Sequence, residues 1–422
     1  MYNISIRFKF FLFIIFNIIF ACFYLYFKHD VGNDSSISEW LINYKGGFTR
    51  RGLGGEISLF IANYLSIELR KAILLIQIFL HITYLILIYI YLKDIKLNLF
   101  QLFALFSPIF LMYPISEIEA LGRKEILIFL FFIITMIFAN QKYSPKFINL
   151  SIFIFFPILC LIWEPVILFA PYFAVILIKK NNLKNLNEVF IKLLIIFSPS
   201  LFVIIIIFLN PLDQIGHSEM CDFLEKNFSE RCYMSAELLI KNTIYFDTLF
   251  IYERVEFTHL LRYFLIFFIG FLPLHLIIFG NAFLSKKNFI EFYISFKNLY
   301  LFLYAPVVLL FVFGHDWGRW VNILYTLSIL LYFYFLKNNF ITNYLDKTNF
   351  IYKILSKRRI ILVLIFYIFA FFWNPKTLIT GDVATNSLYK IIYKASKIVF
   401  EFDSLRLFEN NPIIRFHKNY IE

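Results

Sequence analysis

The sequence is poor in charged residues, and this deficit excludes a water-soluble protein of this size. Only 16% of its 422 residues are Asp, Glu, Lys or Arg, against about 25% in soluble domains. Hydrophobic residues make up 61% of the chain and give it a mean hydropathy of +0.75. The apolar residues form continuous runs rather than alternating with polar ones, which favours membrane-spanning helices.

The sequence also lacks the common nucleotide and metalloprotease motifs. It contains no Walker loop, no GxGxxG and no HExxH, so it shows no motif for the nucleotide chemistry of soluble enzymes. The net charge of +12 would suggest nucleic acid in a soluble protein. Here the basic residues flank apolar runs and set membrane orientation, so no nucleic-acid partner is expected.

Apolar runs of about 15 to 24 residues recur along the chain and predict an all-α, polytopic transmembrane bundle of about eleven spans. The predicted spans are 8–27, 71–92, 98–114, 125–139, 148–163, 165–179, 189–209, 260–283, 299–314, 321–336 and 360–374. The first run is interpreted as a retained span, because Lys28-His29-Asp30 is not a small-residue cleavage site. Residues 1–374 form the transmembrane domain, and residues 375–422 form a C-terminal tail.

The loops differ in charge between the two sides of the predicted membrane. If the N-terminus is cytoplasmic, every inner loop is rich in Lys, as the positive-inside rule requires. Two outer segments show helical apolar stripes. One lies in residues 56–70 (Ile57, Phe60, Ile61 and Tyr64), and the other lies in residues 388–399 of the tail. Each is either an interfacial helix or an ordinary packed helix.

The first outer loop combines glycine, arginine and acids. Five of the chain's 13 glycines fall in one ten-residue stretch of this loop, at Gly46, Gly47, Gly52, Gly54 and Gly55. Arg50 and Arg51 lie between them, and Asp34 and Glu39 precede them. Adjacent guanidinium groups beside exposed backbone N–H groups suit a phosphate or diphosphate. The alternative is a flexible loop whose arginines bind lipid headgroups.

Two further outer segments carry charged candidate residues at the ends of apolar runs. The sequence SEIEALGRKE places Arg123 and Lys124 among acids, which also fits salt-bridged helix ends. Glu164 interrupts an apolar region, and an acid at membrane depth is a functional candidate unless an outer turn exposes it to water.

The sequence GHDWGRW spans residues 314–320. Asp316 and Arg319 are spaced to share a helix face. Trp317 and Trp320 could stack on a sugar ring or anchor the turn at the interface.

The outer loop 211–259 contains Cys221 and Cys232. In an oxidising compartment a disulfide between them would restrain the loop. A metal site that includes His217 is the alternative, but two Cys and one His at this spacing match no strong template, so no metal site is predicted.

The overall layout resembles the multi-span glycosyltransferases of the GT-C superfamily and the O-antigen polymerases of bacterial surface-polysaccharide clusters. The resemblance rests on acids after the first span, on outer loops with acids and Arg, and on the late D-x-x-R-[aromatic] turn of Asp316, Arg319 and Trp320. The adjacent pair of acids that usually follows the first span is replaced here by Asp34 alone.

The resemblance implies sugar transfer from a polyprenyl-(di)phosphate donor to a glycan or lipid-linked acceptor, at the periplasmic face of a bacterial inner membrane. The C-terminal tail would then be periplasmic. Asp34, Glu164 or Asp316 would deprotonate the acceptor hydroxyl. Positive charge for the leaving phosphate would come from Arg50, Arg51, Arg123, Lys124 or Arg319. Trp317 or Trp320 would hold the sugar.

No cofactor is expected, and a divalent-metal requirement stays open. Two other functions remain possible from the sequence. The first is a lipid-linked-sugar flippase or other transporter, which would need a polar cavity across the midplane. The second is a non-enzymatic scaffold of a polysaccharide assembly complex, in which single acid substitutions would be tolerated.

Overall fold

A computed structural model describes residues 6–30, 35–141, 143–183, 185–240, 249, 253–279, 282–283, 296–342 and 359–380. The α-helices are α1 (Ile6–Lys28), α2 (Ser35–Leu41), α3 (Gly52–Leu65), α4 (Leu69–Leu92), α5 (Leu99–Leu105), α6 (Tyr113–Ser116), α7 (Ile126–Asn140), α8 (Pro145–Ile162), α9 (Ala170–Lys180), α10 (Leu186–Leu209), α11 (Gln214–Phe228), α12 (Met234–Glu237), α13 (Phe257–Leu265), α14 (Leu272–Phe279), α15 (Phe296–Tyr304), α16 (Val308–Phe313), α17 (Trp317–Lys337) and α18 (Arg359–Phe371).

Tighter or wider turns link some of these helices. They are the 3₁₀ segments Ile118–Ala120, Glu164–Phe169 and Ala305–Val307, and the π-helical segment Ile266–Gly270. Within the described residues the only β-structure is one antiparallel pair of two-residue strands, Ala282–Phe283 and Ile341–Thr342.

Five helices are long and apolar enough to cross a membrane: α1, α4, α8, α10 and α17. A sixth span is possible if Phe257–Gly270 and Leu272–Ile278, which meet at an angle of 44°, count as one broken helix. The predicted all-α architecture is confirmed, together with a multi-pass set of candidate spans. The predicted number of about eleven spans is not confirmed.

The predicted and observed numbers of spans differ because the structure divides some apolar runs into short helices. The run 98–114 forms α5 and α6 with a turn at Ser107 and Pro108 between them. The run 165–179 starts as a 3₁₀ segment at Glu164–Phe169, with Pro165 near its start, and continues as the 11-residue α9. Proline removes a backbone donor and interrupts helical bonding, so hydropathy alone overestimates the number of continuous helices.

Helix α17 lies at the centre of the bundle. Its most apolar window is 89% buried, whereas the windows of the other four candidate spans are 22% to 39% buried. Those four helices present large apolar side chains outward, such as Phe79 and Phe202, which are 68% and 63% exposed. Exposed apolar surface of this extent fits contact with lipid.

The first predicted apolar stripe forms the outer face of α3. Phe60 and Tyr64 are 68% and 78% exposed, whereas Leu59 and Ala62 face inward and are buried. An outward apolar face is the arrangement expected of a helix at a membrane interface. The second predicted amphipathic helix, at residues 388–399, lies outside the described residues.

The start of the C-terminal tail returns to the turn that precedes α17. The backbone N–H of Gly318 donates to the Thr377 carbonyl over 3.1 Å, and the N–H of Ile379 donates to the His315 carbonyl over 2.9 Å. A Cβ at Gly318 would lie 1.8 Å from the carbonyl oxygen of Lys376. This close approach requires glycine and holds the first residues of the tail over the start of α17.

Replacement of Gly55 by Ala is expected to destabilise the fold. A Cβ there would lie 1.9 Å from the Ile42 carbonyl oxygen, which belongs to the backbone and has little freedom to move. Overpacking of this kind costs about 1–3 kcal/mol, so the thermal unfolding midpoint of the purified protein in detergent should fall by several degrees. Asn63→Ala, on the exposed face of the same helix, should leave the midpoint unchanged. An unaltered midpoint in Gly55→Ala would contradict the packing described here.

Candidate functional site

A cluster of buried and partly buried charges lies at the end of the bundle where α17 begins. It draws residues from five separate segments, and we refer to it as the charged cluster. Its members are Glu39, Arg50, Arg51, Arg123, Lys124, Glu125, Glu164, Asp316 and Arg319. The sequence between Arg319 and Lys337 contains no Asp, Glu, Lys, Arg or His, so ionisable charge on α17 is confined to its two ends.

Arg51 and Glu164 form the most regular ion pair in the cluster. The Arg51 Nε lies 3.0 and 2.8 Å from the two carboxylate oxygens of Glu164, and Nη2 lies 2.7 Å from Oε1. Arg51 itself has a φ of 65°, in the left-handed region, at the N-terminal end of α3. A non-glycine residue held in this region signals a locally strained backbone that the surroundings must stabilise.

Arg50 contacts the same acid and also the residue that follows α12. Its Nη1 lies 3.9 Å from Glu164 Oε1, and its Nη2 donates to the Leu238 carbonyl over 2.7 Å. The adjacent arginines therefore converge on one carboxylate. This convergence brings together two predicted phosphate ligands and one predicted catalytic acid.

Arg123 and Arg319 neutralise the remaining acids. Arg123 donates to Glu39, and Arg319 donates to Glu125 and to Asp316. Arg319 Nη2 also lies 3.6 Å from Glu39 Oε1, which links the two pairs. The structure thus joins the first loop, the second loop and the start of α17 through ion pairs.

Burial and ion pairing shift the pKa values of Glu39 and Glu164 in opposite directions. Burial raises the pKa of Glu39, but Arg123 and Arg319 outweigh it and hold the pKa at about 2. Burial likewise raises the pKa of Glu164, and Arg51 more than compensates, so that pKa lies below its usual range. Both carboxylates are therefore charged at neutral pH, which fits their role as partners of arginine.

Lys124 differs from the arginines around it. Its Nζ donates to the Arg51 carbonyl over 2.9 Å and lies 5.7 Å from the centre of the Trp40 ring. Burial lowers its pKa to about 7, a shift that Glu39 opposes and Arg51 reinforces. A Cβ at Gly54 would lie 3.0 Å from both Cε and Nζ of Lys124, so glycine at that position leaves the amine its space.

Tryptophans border the cluster. The Trp320 ring stacks on Trp163 with centroids 6.2 Å apart, and the Arg319 guanidinium lies 5.3 Å from the Trp320 centroid. Trp320 is buried, and Trp317 is partly buried against Tyr263. Of the two tryptophans predicted to bind sugar, Trp317 is therefore the more accessible.

A small cavity of about 30 Å³, lined mainly by apolar residues, lies beside the cluster. Its lining includes Arg123, Glu125 and Arg319, together with His81 and Asn322. Within the described part of the chain, Glu125 Oε2 and Arg319 Nε are buried and have no hydrogen-bond partner. A cavity of this size has room for about one or two waters, which would hydrogen-bond to such atoms where they border it.

The loop after α10 covers the first outer loop. The structure joins Cys221 and Cys232 by a disulfide, which ties α11 to the segment before α12. His217 lies beside the same sulfurs. Because the two sulfurs are bonded to each other, neither is a thiolate that could bind a metal. The backbones of Gly46 and Gly216 are in close contact, since a Cβ at Gly46 would lie 1.7 Å from the Gly216 carbonyl oxygen.

Most of the predicted site residues meet in this cluster, with two differences from the prediction. Asp34, the first candidate for the catalytic base, lies outside the described residues. Glu39 and Glu125 are central to the cluster but were not among the predicted catalytic or binding residues. Their nearness to other charged residues in the sequence was the available signal. His81 gave a second signal, as a single histidine in an apolar run.

The chain matches no known protein-family model, no curated protein and no solved structure.

Replacement of Glu164 by Gln is expected to destabilise the protein by about 3 kcal/mol, because the Arg51 charge would lose its buried partner. The thermal unfolding midpoint in detergent should fall accordingly. The stability that the Glu164 carboxylate contributes should be complete above about pH 5 and should be lost as pH falls through its lowered pKa. Wild-type protein should therefore lose more stability on acidification than Glu164→Gln.

The matched control is Glu68→Gln, which removes an exposed carboxylate paired with Lys71. It should change neither the midpoint nor its pH dependence. Equal midpoints for Glu164→Gln and wild type at pH 7 would show that the pair does not stabilise the fold.

Proposed function

We propose that this chain is an integral membrane glycosyltransferase or polymerase that acts on polyprenyl-(di)phosphate-linked sugars in surface-polysaccharide synthesis. We place the charged cluster at the periplasmic face of a bacterial inner membrane, with a cytoplasmic N-terminus. The observation that carries the proposal is the cluster itself. Paired arginines, carboxylates and tryptophans lie together, buried or partly buried, at one end of a bundle whose outer surface is apolar.

The charges suit a reaction with an anionic leaving group. The cluster contains five basic side chains and four carboxylates. In the transfer, the acceptor hydroxyl gives its proton to a base and its oxygen bonds to the sugar C1. The bond between C1 and the phosphate oxygen breaks, and the polyprenyl (di)phosphate leaves with the electron pair. Arg50 and Arg51 are adjacent and could bind that phosphate together in place of Glu164.

The lipid and sugar parts of the donor also have suitable neighbours. The exposed apolar face of α3, with Phe60 and Tyr64, lies on the helix that begins directly after Arg51 and could follow a polyprenyl chain. Trp317 offers a partly accessible aromatic ring beside Asp316 and Arg319. A donor could then place its chain in the lipid, its phosphate on the arginines and its sugar near the tryptophan.

A flippase is less well supported than a transferase by this arrangement. Transporters commonly place ionisable groups near the midplane on interrupted helices. Here the central helix α17 has no ionisable acid or base between Arg319 and Lys337. The buried charges are therefore concentrated at one end of the described bundle, where a reaction on a membrane-presented substrate would occur.

The pairing of every described acid in the cluster favours one second candidate, a non-enzymatic scaffold. Glu39, Glu125, Glu164 and Asp316 each contact an arginine, and such pairs could serve only to fix the loops. A scaffold and an enzyme differ in what the purified chain does alone, since only an enzyme would lengthen a lipid-linked glycan.

The variants Asp34→Asn and Arg51→Ala are expected to abolish polysaccharide elongation in cells and to leave membrane insertion intact. Asp34→Asn removes a candidate base, and Arg51→Ala removes a phosphate ligand. Glycan length would be measured on gels, and insertion and folding by membrane fractionation and thermal unfolding. Arg7→Ala, which removes an exposed arginine at the opposite end of α1, serves as the control and should support normal elongation. Normal glycan length in both test variants would contradict the proposal.

A reconstituted assay separates the candidates. Purified wild-type protein in liposomes should lengthen or transfer a radiolabelled oligosaccharide supplied on polyprenyl diphosphate. Movement of the labelled lipid between leaflets without any new glycosidic bond would support the flippase instead. Neither transfer nor movement, combined with loss of polysaccharide on gene deletion, would support the scaffold.

A further inference from the structure

A groove on the outer surface lies between α8 and α10, at the end of the bundle opposite the charged cluster. Its volume is about 760 Å³, which is within the range of ligand pockets. Helix α8 begins beside the groove and has 18 residues, and Glu164 of the charged cluster follows its other end. At 1.5 Å per residue, about 25 Å separate the start of α8 from the charged cluster.

Each of the two helices contributes one continuous stripe to the groove. The wall on α8 consists of Lys146, Asn149, Leu150 and Phe153, which follow the i, i+3, i+4, i+7 spacing. The wall on α10 shows the same spacing from Glu188 to Ile195. Residues at this spacing share one helix face. Both helices are candidate membrane spans, so the groove runs along two spans and suits a chain-shaped ligand.

The groove is charged at one end and apolar at the other. Lys146 lies in the first turn of α8, and Lys192 lies about 9 Å along α10 from the first residue of that helix. Toward the charged cluster the groove continues along Leu150, Phe153 and Ile195, whose side chains are exposed. The same division between a charged end and an apolar end is found in a membrane lipid.

The charged end of the groove carries more positive than negative charge. It contains two lysines and one carboxylate, that of Glu188, which accepts a hydrogen bond from Asn185 Nδ2 over 3.1 Å. Within the described ranges, neither Lys146 nor Lys192 forms an ion pair. Both α8 and α10 also begin at this end, and helix N-termini favour negative charge. The charged end therefore suits an anion.

The rest of this side of the bundle is also basic. Lys179 and Lys180 lie in the last turn of α9, and Lys337 lies in the last turn of α17, at the end away from the charged cluster. The positive-inside rule would place such an end at the cytoplasm. The cytoplasmic leaflet is rich in anionic lipids, which basic pockets between membrane helices bind.

We propose that the groove between α8 and α10 is a binding site for an anionic phospholipid. Its phosphate lies against Lys146 and Lys192, and one of its acyl chains follows Leu150, Phe153 and Ile195 toward the membrane interior. A zwitterionic lipid fits less well, because its own cation would lie near the two lysines. The site is at the opposite end of the bundle from the charged cluster and does not depend on the reaction proposed there.

The first test measures lipid binding to the purified full chain in a neutral detergent by native mass spectrometry. The probes are phosphatidylglycerol and phosphatidylcholine with the same acyl chains. Each lysine beside an anionic headgroup strengthens binding about five-fold, and Glu188 offsets part of this gain. Wild type should bind its first phosphatidylglycerol about 10-fold more tightly than phosphatidylcholine. Lys146→Gln/Lys192→Gln should lose this preference, and Glu188→Gln should increase it.

The matched control is Lys93→Gln/Lys96→Gln, which removes two lysines from another Lys-rich loop and should keep the preference. Without added lipid, the thermal unfolding midpoint should be the same in wild type and both double variants. Equal affinity of wild type for the two lipids would overturn the proposal. A preference that persists in Lys146→Gln/Lys192→Gln, or that falls equally in the control, would overturn it too.

Inorganic phosphate tests whether the apolar part of the groove contributes. At constant ionic strength, about a 100-fold excess of phosphate over phosphatidylglycerol should leave the bound lipid in place, because phosphate makes no contact with the apolar wall. Displacement of the lipid would show a site for phosphate alone and would overturn the proposal.

A photoreactive lipid tests the position of the site. Phosphatidylglycerol with a diazirine in one acyl chain would be irradiated with the wild-type chain in liposomes, and the labelled residues would be identified by mass spectrometry. Labels are expected at 149–153 and 191–196, at several times the yield on the exposed face of α4 around Phe79. Equal yields at both places would indicate general lipid contact without a site and would contradict the proposal.

Discussion

Arg319 carries a positive charge into the start of the most buried helix of the bundle, and the surrounding segments are arranged to neutralise it. An unpaired guanidinium in such an environment would cost several kcal/mol. Glu125 from the second loop, Asp316 from the turn before α17 and Glu39 from α2 lie around it. Neutralisation of one charge thus brings three distant parts of the chain to one place.

The charged residues around Arg319 must be neutralised in the same way. Arg123 completes the neutralisation of Glu39, and Arg51 with Arg50 neutralises Glu164. The same loops also bury apolar side chains, such as Ile37 and Trp40 in the first loop and Leu121 in the second, so the ion pairs add to apolar packing there. Ion pairs of this kind hold the charged side chains in place, and the proposed transfer reaction would need charges positioned in advance.

Glycines make these loop contacts possible, although the chain has only 13 of them. Gly46 meets Gly216, Gly55 meets the Ile42 carbonyl, and Gly318 meets the Lys376 carbonyl, each at a distance that excludes a Cβ. These contacts bring backbone against backbone at the end of the bundle that holds the charged cluster. Lys124 gains its position in the same way, because Gly54 leaves room for its amine.

The amino-acid sequence is enough to predict an all-α membrane protein with acids and arginines gathered in a few loops. Hydropathy and charge distribution are local properties, and they suffice for that conclusion. They did not determine the number of long helices, because prolines and short turns divide several apolar runs. Nor did they determine which acid meets which arginine. Arg51 and Glu164 are 113 residues apart, and Arg319 and Glu125 are 194 apart. Such pairs depend on how the helices pack, so only the tertiary structure could identify Glu39 and Glu125 as partners and leave Lys124 bonded to a neutral carbonyl.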